Sequence, residues 1–335
     1  MHITYLIAAD GNPLYDGKHR EGGRYHTYGQ HTFVLDLVRA LCRGGHEVRL
    51  VVDDVDCFPL TSALRELSSA SVTQDTGSRT DTDLLLVDEA ADEMLARFPE
   101  EIPAFRIVHH AGRRSSPGVV GRCARFLCMT ENSLSLQGAY LPPDRPVLIH
   151  QGVDLYRFPP VPARPVGDRP RVLVHGRMDS GREAVLGQVM EHLDRKALLV
   201  YALGDGPGFW AASDRFGAEM ILINHVPCHS MPNLLSDMDV VISLGRGAME
   251  AMATGIPTLC AGYGYAGLIT EDTIGVLMRH NLTGAHCRRD PARVMEDVHD
   301  ALDTDRHEVR ALAERWLSAD AFVERVCELY ADVVG

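Results

Sequence analysis

The feature that most restricts the fold is an alternation of apolar runs with amphipathic stretches that halts at a proline-rich break and then begins again. The chain opens with the apolar run HITYLIAA and passes through a glycine-bearing loop. It continues into HTFVLDLVRALCRGG, whose apolar residues recur at helical spacing and whose Gly44-Gly45 pair is a helix stop. HEVRLVVDD reads as a second strand, so the opening is a βαβ unit, the building block of a parallel sheet. TDLLLVDEA, FRIVHHAG and ARFLCMTEN read as further parallel strands, each delivering polar residues at its C-terminal end. That edge is where open α/β sheets bind ligands.

Periodicity is lost in VDLYRFPPVPARPVGDRP, which carries five prolines. The alternation restarts with RPRVLVHGRM, REAVLGQVMEHL and KALLVYALGDGP and runs on to DVVISLG and a helix opening near Gly247. The sequence therefore predicts an α/β chain of two Rossmann-like domains. The first spans 1–158, a linker 159–170, the second 171–317, and a C-terminal helix at 318–335 packs back on the first domain. A length of 335 residues and a hydrophobic share of 45% suit two full cores. A net charge of −13 argues against nucleic acid as a partner, because phosphate binding needs a dominant basic surface. No run of about 18 apolar residues is present and the N-terminus has no signal-like pattern, so a soluble, cytoplasmic protein without stable membrane association is expected. The eight cysteines are scattered without a C-x-x-C pair and read as reduced core residues.

Several segments together resemble the large retaining glycosyltransferase family four, which has the two-Rossmann glycosyltransferase B fold. GGHEVRLVV, IHQGVDLYRF, HGRMDSGRE, LGDGP, VPCHSMPNLLSDMDVVIS and EAMATGIPTL follow in that family's order. GYGYAGLITEDTIGVLMRHNLTG is similar to a short bacterial branch that carries a Gly-Arg-x-Ala-Leu-Glu-Ala motif. The resemblance implies two domains facing across a cleft and sugar transfer from a nucleotide diphosphate sugar. Three positions depart from the family: Ile242 stands where it has the first glutamate of a Glu-x7-Glu pair, Gln151 replaces an asparagine, and Arg182 stands where a lysine is usual.

The site residues follow partly from chemistry and partly from this likeness. Glu250 is a lone carboxylate inside the apolar run SLGRGAMEAMATGIPTL and needs a partner, because an unpaired buried charge is expensive. The resemblance assigns it the ribose hydroxyls; the alternative is a carboxylate at its own helix start. Gly245, Arg246 and Gly247 form a helix opening that either receives a diphosphate or is a tight turn. Arg177 and Arg182 either clamp the leaving diphosphate or are surface arginines partnered by Asp179 and Glu183. In the first domain the likeness places Gly22 and Gly23 near the donor phosphate and His110, in preference to its neighbour His109, against the donor sugar; the alternative is a structural histidine pair at a strand end. Thr130 and Glu131 end the next strand and, with His109, read as further cleft residues. Histidines 19, 26 and 31 lack the carboxylate spacing of a metal site, and no metal or other cofactor is expected. The expected partners are a nucleotide diphosphate sugar and a small polar acceptor. A sugar-nucleotide epimerase of the same fold and a non-catalytic nucleotide-sugar-binding protein are the competing readings.

Overall fold

The computed structural model describes residues 1–7, 20–21, 24–25, 29–52, 61–74, 81–88, 91–109, 114–162, 165, 167–178 and 181–335. The chain divides into two compact units, residues 1–154 with 319–335, and residues 155–318.

The first unit is built on β1 (His2–Ile7), a two-residue pair β2 (Arg20–Glu21) and β3 (Arg24–Tyr25), α1 (Gly29–Arg43), β4 (Glu47–Val52), α2 (Thr61–Arg65), β5 (Ala70–Thr73) and β6 (Leu84–Val87). It continues through α3 (Asp92–Leu95), β7 (Ala104–Val108), α4 (Pro117–Arg122), β8 (Arg125–Cys128), α5 (Glu131–Gly138) and β9 (Pro146–Leu148). Seven strands form one parallel sheet in the order β5-β4-β1-β6-β7-β8-β9. β1, β6 and β7 are apolar along nearly their whole length because helices cover both faces of such a sheet. α1 buries Phe33, Val34, Leu37, Val38 and Leu41, and it stops where Gly45 takes a φ of 77°, a conformation glycine adopts without steric cost. Beside its end, Arg43 pairs with buried Asp154 at 2.9 Å.

The second unit contains β10 (Arg171–His175), α6 (Glu183–His192), β11 (Leu199–Leu203), α7 (Pro207–Phe216), β12 (Ile221–Ile223), α8 (Met231–Ser236), β13 (Val240–Ser243) and α9 (Gly245–Ala253). β14 (Thr258–Ala261), β15 (Tyr265–Leu268), α10 (Glu271–Met278), α11 (Val294–Leu302) and α12 (Arg306–Trp316) complete it. Its sheet runs β12-β11-β10-β13-β14-β15, parallel except for the antiparallel edge strand β15. Val172, Val174, Leu186, Val200, Val240, Ile242 and Leu259 lie together in one core. The segment from Leu155 belongs here: Phe158 is buried, its carbonyl accepts from Arg310 at 2.8 Å, and the Val161 amide donates to Thr254. The last helix, α13 (Ala319–Val334), returns to the first unit. There Phe322 meets Phe33 edge-on, and Arg43 reaches Asp320 at 2.9 Å.

Candidate functional site

In the second sheet the chain leaves β10 for β11 on one side and returns on the other with β13. The C-terminal ends of β10 and β13 therefore flank a topological switch point, the place where doubly wound sheets bind ligands. β10 ends at His175, followed by Gly176 and Arg177; β13 ends at Ser243 and enters α9 through the single residue Leu244. Two glycines make so short a turn possible. Gly245 takes a φ of 51°, and a Cβ on Gly247 would stand 2.6 Å from His175 Nδ1 and closer still to Ser243 Oγ. The helix start thus packs directly on the strand ends. Gly245's amide donates to the Leu282 carbonyl at 2.9 Å, so any anion at this helix start would be met by amides beyond it.

Glu250 is the sixth residue of α9, past the first turn, where the helix dipole no longer offers it much. The helix-start alternative is therefore excluded by register. Its side chain is 5% exposed, and Oε1 lies 3.4 Å from Arg157 Nη2 and 3.7 Å from Arg246 Nη2. Both guanidiniums are nearly as buried, at 6% and 8% exposure, so the charge is balanced inside the unit. Arg246 arrives by i,i+4 spacing on the same helix. Arg157 has no assignment from the sequence, where it sits at the edge of the proline-rich segment; the signal for it is the need of a buried carboxylate for a counter-charge.

Arg177 and Arg182 both lie after β10. Arg177 Nε is 3.9 Å from Asp205 Oδ1, a loose pair, and is partly buried. Arg182 precedes α6 and stacks over the half-exposed ring of Tyr263 at 5.5 Å. Asp179 lies outside the described residues. Ile242 falls inside β13, fully buried and in register with Val174 and Leu259, not at a strand end. With a one-residue connection to α9, this position belongs to the core of the strand.

In the first unit the residues after β6 and β7 converge. Asp88 is fully buried, and its Oδ2 accepts from Tyr5 Oη at 2.5 Å and meets His109 Nε2 at 3.1 Å. Burial works against this charge, but His109, Tyr5 and Arg106 overcome it and hold the carboxyl below the usual range. His31, buried on α1, is pushed down to about 4 by burial, against the pull of Asp88. His109 also packs edge-on against Phe33 at 5.4 Å. It is thereby committed to the packing of its own unit. Thr130 is the N-cap of α5, its side chain accepting from the Ser133 amide in a capping box; Glu131 is the first residue of that helix. His110, Gly22 and Gly23 lie outside the described residues. Among the described residues no group of three or more His, Cys, Asp or Glu side chains is placed to hold a metal ion, and no helix is long and apolar enough to cross a membrane.

No family model matches the chain, and no curated protein matches it. Solved structures do. A glycosyltransferase from Rickettsia africae ESF-5 is similar with a TM-score of 0.65 at 11% identity, over 99% of this chain and 98% of that one. Anabaena Alr3699/HepE in complex with UDP-glucose is similar with a TM-score of 0.62 at 13% identity, over 99% and 100% of the two chains. The UDP-GlcNAc 2-epimerase from Neisseria meningitidis bound to UDP-GlcNAc follows at 0.56 and 13%, over 98% and 99%. At these identities the likeness establishes the fold, and this chain has the two-Rossmann architecture of the glycosyltransferase B type.

Proposed function

We propose that this protein is a retaining, metal-independent glycosyltransferase that moves a sugar from a nucleotide diphosphate sugar to a hydroxyl of a small polar acceptor. The observation that carries the reading is the buried Glu250 on α9, the helix that starts at the switch point of the second sheet, paired with Arg157 and Arg246. A carboxylate so placed reads the two hydroxyls of a ribose. Arg246, Arg177 and Arg182 are the cations that neutralise the leaving diphosphate as the glycosidic bond breaks. The fold shared with proteins crystallised with UDP-glucose and UDP-GlcNAc supports a uridine nucleotide as the first donor to try.

Metal independence rests on the charge inventory. The described Asp-x-Asp pairs precede strands or a helix: Asp81 and Asp83 before β6, Asp237 and Asp239 before β13, Asp303 and Asp305 before α12. In the second unit the strand start Asp237–Asp239 is at the opposite end of β13 from Arg246. The arginines take the part a divalent cation would play. No carboxylate is set by motif as a covalent nucleophile, and the leaving phosphate helps deprotonate the acceptor on the same face. His110, a residue of the first half of the chain, is the one that the family likeness assigns to the donor sugar.

The test is a transfer assay with a panel of nucleotide diphosphate sugars and hydroxyl acceptors in excess EDTA, with the product's anomeric configuration read by NMR. Transfer with retention is the expected result. Inversion would remove the front-face mechanism, and activity lost to EDTA and restored by manganese or magnesium would remove the arginine assignment. The shared fold with a 2-epimerase favours one second reading. An altered sugar in a donor-only incubation would establish it in place of transfer.

A further inference from the structure

His175 closes β10 at the switch point, yet the function proposed above gives it no task. Its carbonyl accepts from Ser243 Oγ at 2.8 Å, which ties the ends of β10 and β13 together. The Nδ1 and Cε1 edge of the ring lies on Gly247, where a Cβ would come within 2.6 and 2.9 Å of those atoms. Nδ1 is buried and has no hydrogen-bond partner. The first turn of α9, onto which it faces, is the positive end of a helix dipole, so the lone pair rather than a proton belongs there. The ring proton therefore sits on Nε2, next to the edge that does not face Gly247, in a residue that keeps part of its surface exposed. Burial alone pushes its pKa down, to about 4, and the buried nitrogen accounts for that direction although the residue as a whole is partly exposed. No charged side chain contributes to that lowering. Beside Arg177, Arg182 and Arg246, the cations assigned above to the diphosphate, a neutral donor adds a directed hydrogen bond to an anion without a further positive charge that would retain the product.

We propose that His175 is a neutral hydrogen-bond donor of the nucleotide diphosphate site, its Nε2–H directed at a phosphate oxygen. The inference rests on the reading of the second unit as a nucleotide diphosphate site. A neutral imidazole held in this way by a helix start polarises an oxygen without protonating it.

The probe is UDP, with GDP, ADP and dTDP alongside, titrated calorimetrically into wild type, His175→Gln and His175→Phe. A glutamine amide supplies a neutral N–H of similar reach, and phenylalanine keeps the ring but not the donor. The expected result is a loss of affinity of about tenfold for His175→Phe and under about threefold for His175→Gln. Imidazole 15N spectra should show an Nε2-protonated neutral ring from pH 5 to 8 whose signal moves when UDP saturates the protein. His175→Phe binding as tightly as wild type overturns the proposal, and so does a ring that titrates near pH 6.5. If His175→Phe does not fold, an imidazole signal unmoved by saturating UDP overturns it instead. In each of those cases wild type still binds, and the nucleotide site stands. A wild type that binds none of the four nucleotides overturns both.

Discussion

Replacing Glu250 by glutamine keeps the shape of the side chain and removes its charge, leaving two guanidiniums facing each other inside the second unit. Glu250, Arg157 and Arg246 are each less than a tenth exposed, so water cannot take over the lost interaction. Breaking a buried pair costs about 3–5 kcal/mol. The contacts here, at 3.4 and 3.7 Å, are longer than a short charge-assisted bond, which puts the expected cost near the lower figure, about 3 kcal/mol. For a domain of this size that corresponds to a fall in Tm of about 6–12 °C. Urea unfolding of wild type, Glu250→Gln, Arg157→Met and the double variant measures both the cost and the coupling. Coupling of about 1 kcal/mol or more is expected for side chains in direct contact. A change under about 0.5 kcal/mol for Glu250→Gln, with no coupling to Arg157, would refute the buried pair.

Three further outcomes follow from the same geometry. His31 is neutral when folded, with a pKa near 4 against 6.5 when unfolded, so its contribution is intact above pH 6.5 and is lost as pH falls toward 4. Unfolding at pH 7 and pH 5 should show a loss of about 1–2 kcal/mol that shrinks in His31→Gln; an unchanged pH slope in the variant would contradict it. Gly247→Ala forces a Cβ into His175 and Ser243 and should cost about 1–3 kcal/mol in thermal unfolding, whereas a neutral substitution would mean that α9 starts farther from β10. Arg177→Ala and Arg182→Ala should lower kcat more than they raise KM, because charge grows on the diphosphate as the bond breaks; a rise in KM alone would assign them to ground-state binding.

The two α/β halves are legible in the sequence because parallel strands covered on both faces are nearly continuous apolar runs, as in TYLI, LLLV and VVIS. β5 and β9 are not, since ASVT and PVL are short, partly exposed edge strands with little apolar signal. β15 escapes for a different reason: YAGL contains a glycine and runs antiparallel, and pairing direction is a tertiary property absent from local pattern. In the site, Glu250 announces itself as a charge among apolar residues. Arg157 does not, because it lies 93 positions away from the carboxylate it meets. Ile242 reads as a ligand-facing position through a family spacing, but a one-residue connection between β13 and α9 moves that spacing back into the strand. His109 and Thr130 follow from strand ends alone, and only the fold shows the first held by Asp88 and the second spent on capping α5.

In the proposed function, the second unit binds a nucleotide diphosphate through Glu250. Calorimetric titration of UDP and the other nucleoside diphosphates into wild type and folded Glu250→Gln decides whether it does. Wild type should bind at least one of them, and the variant should bind it about 5- to 150-fold more weakly, the equivalent of about 1–3 kcal/mol for a hydrogen bond to a charged group. Equal affinity in the two proteins, or no nucleotide bound by wild type, would contradict the account.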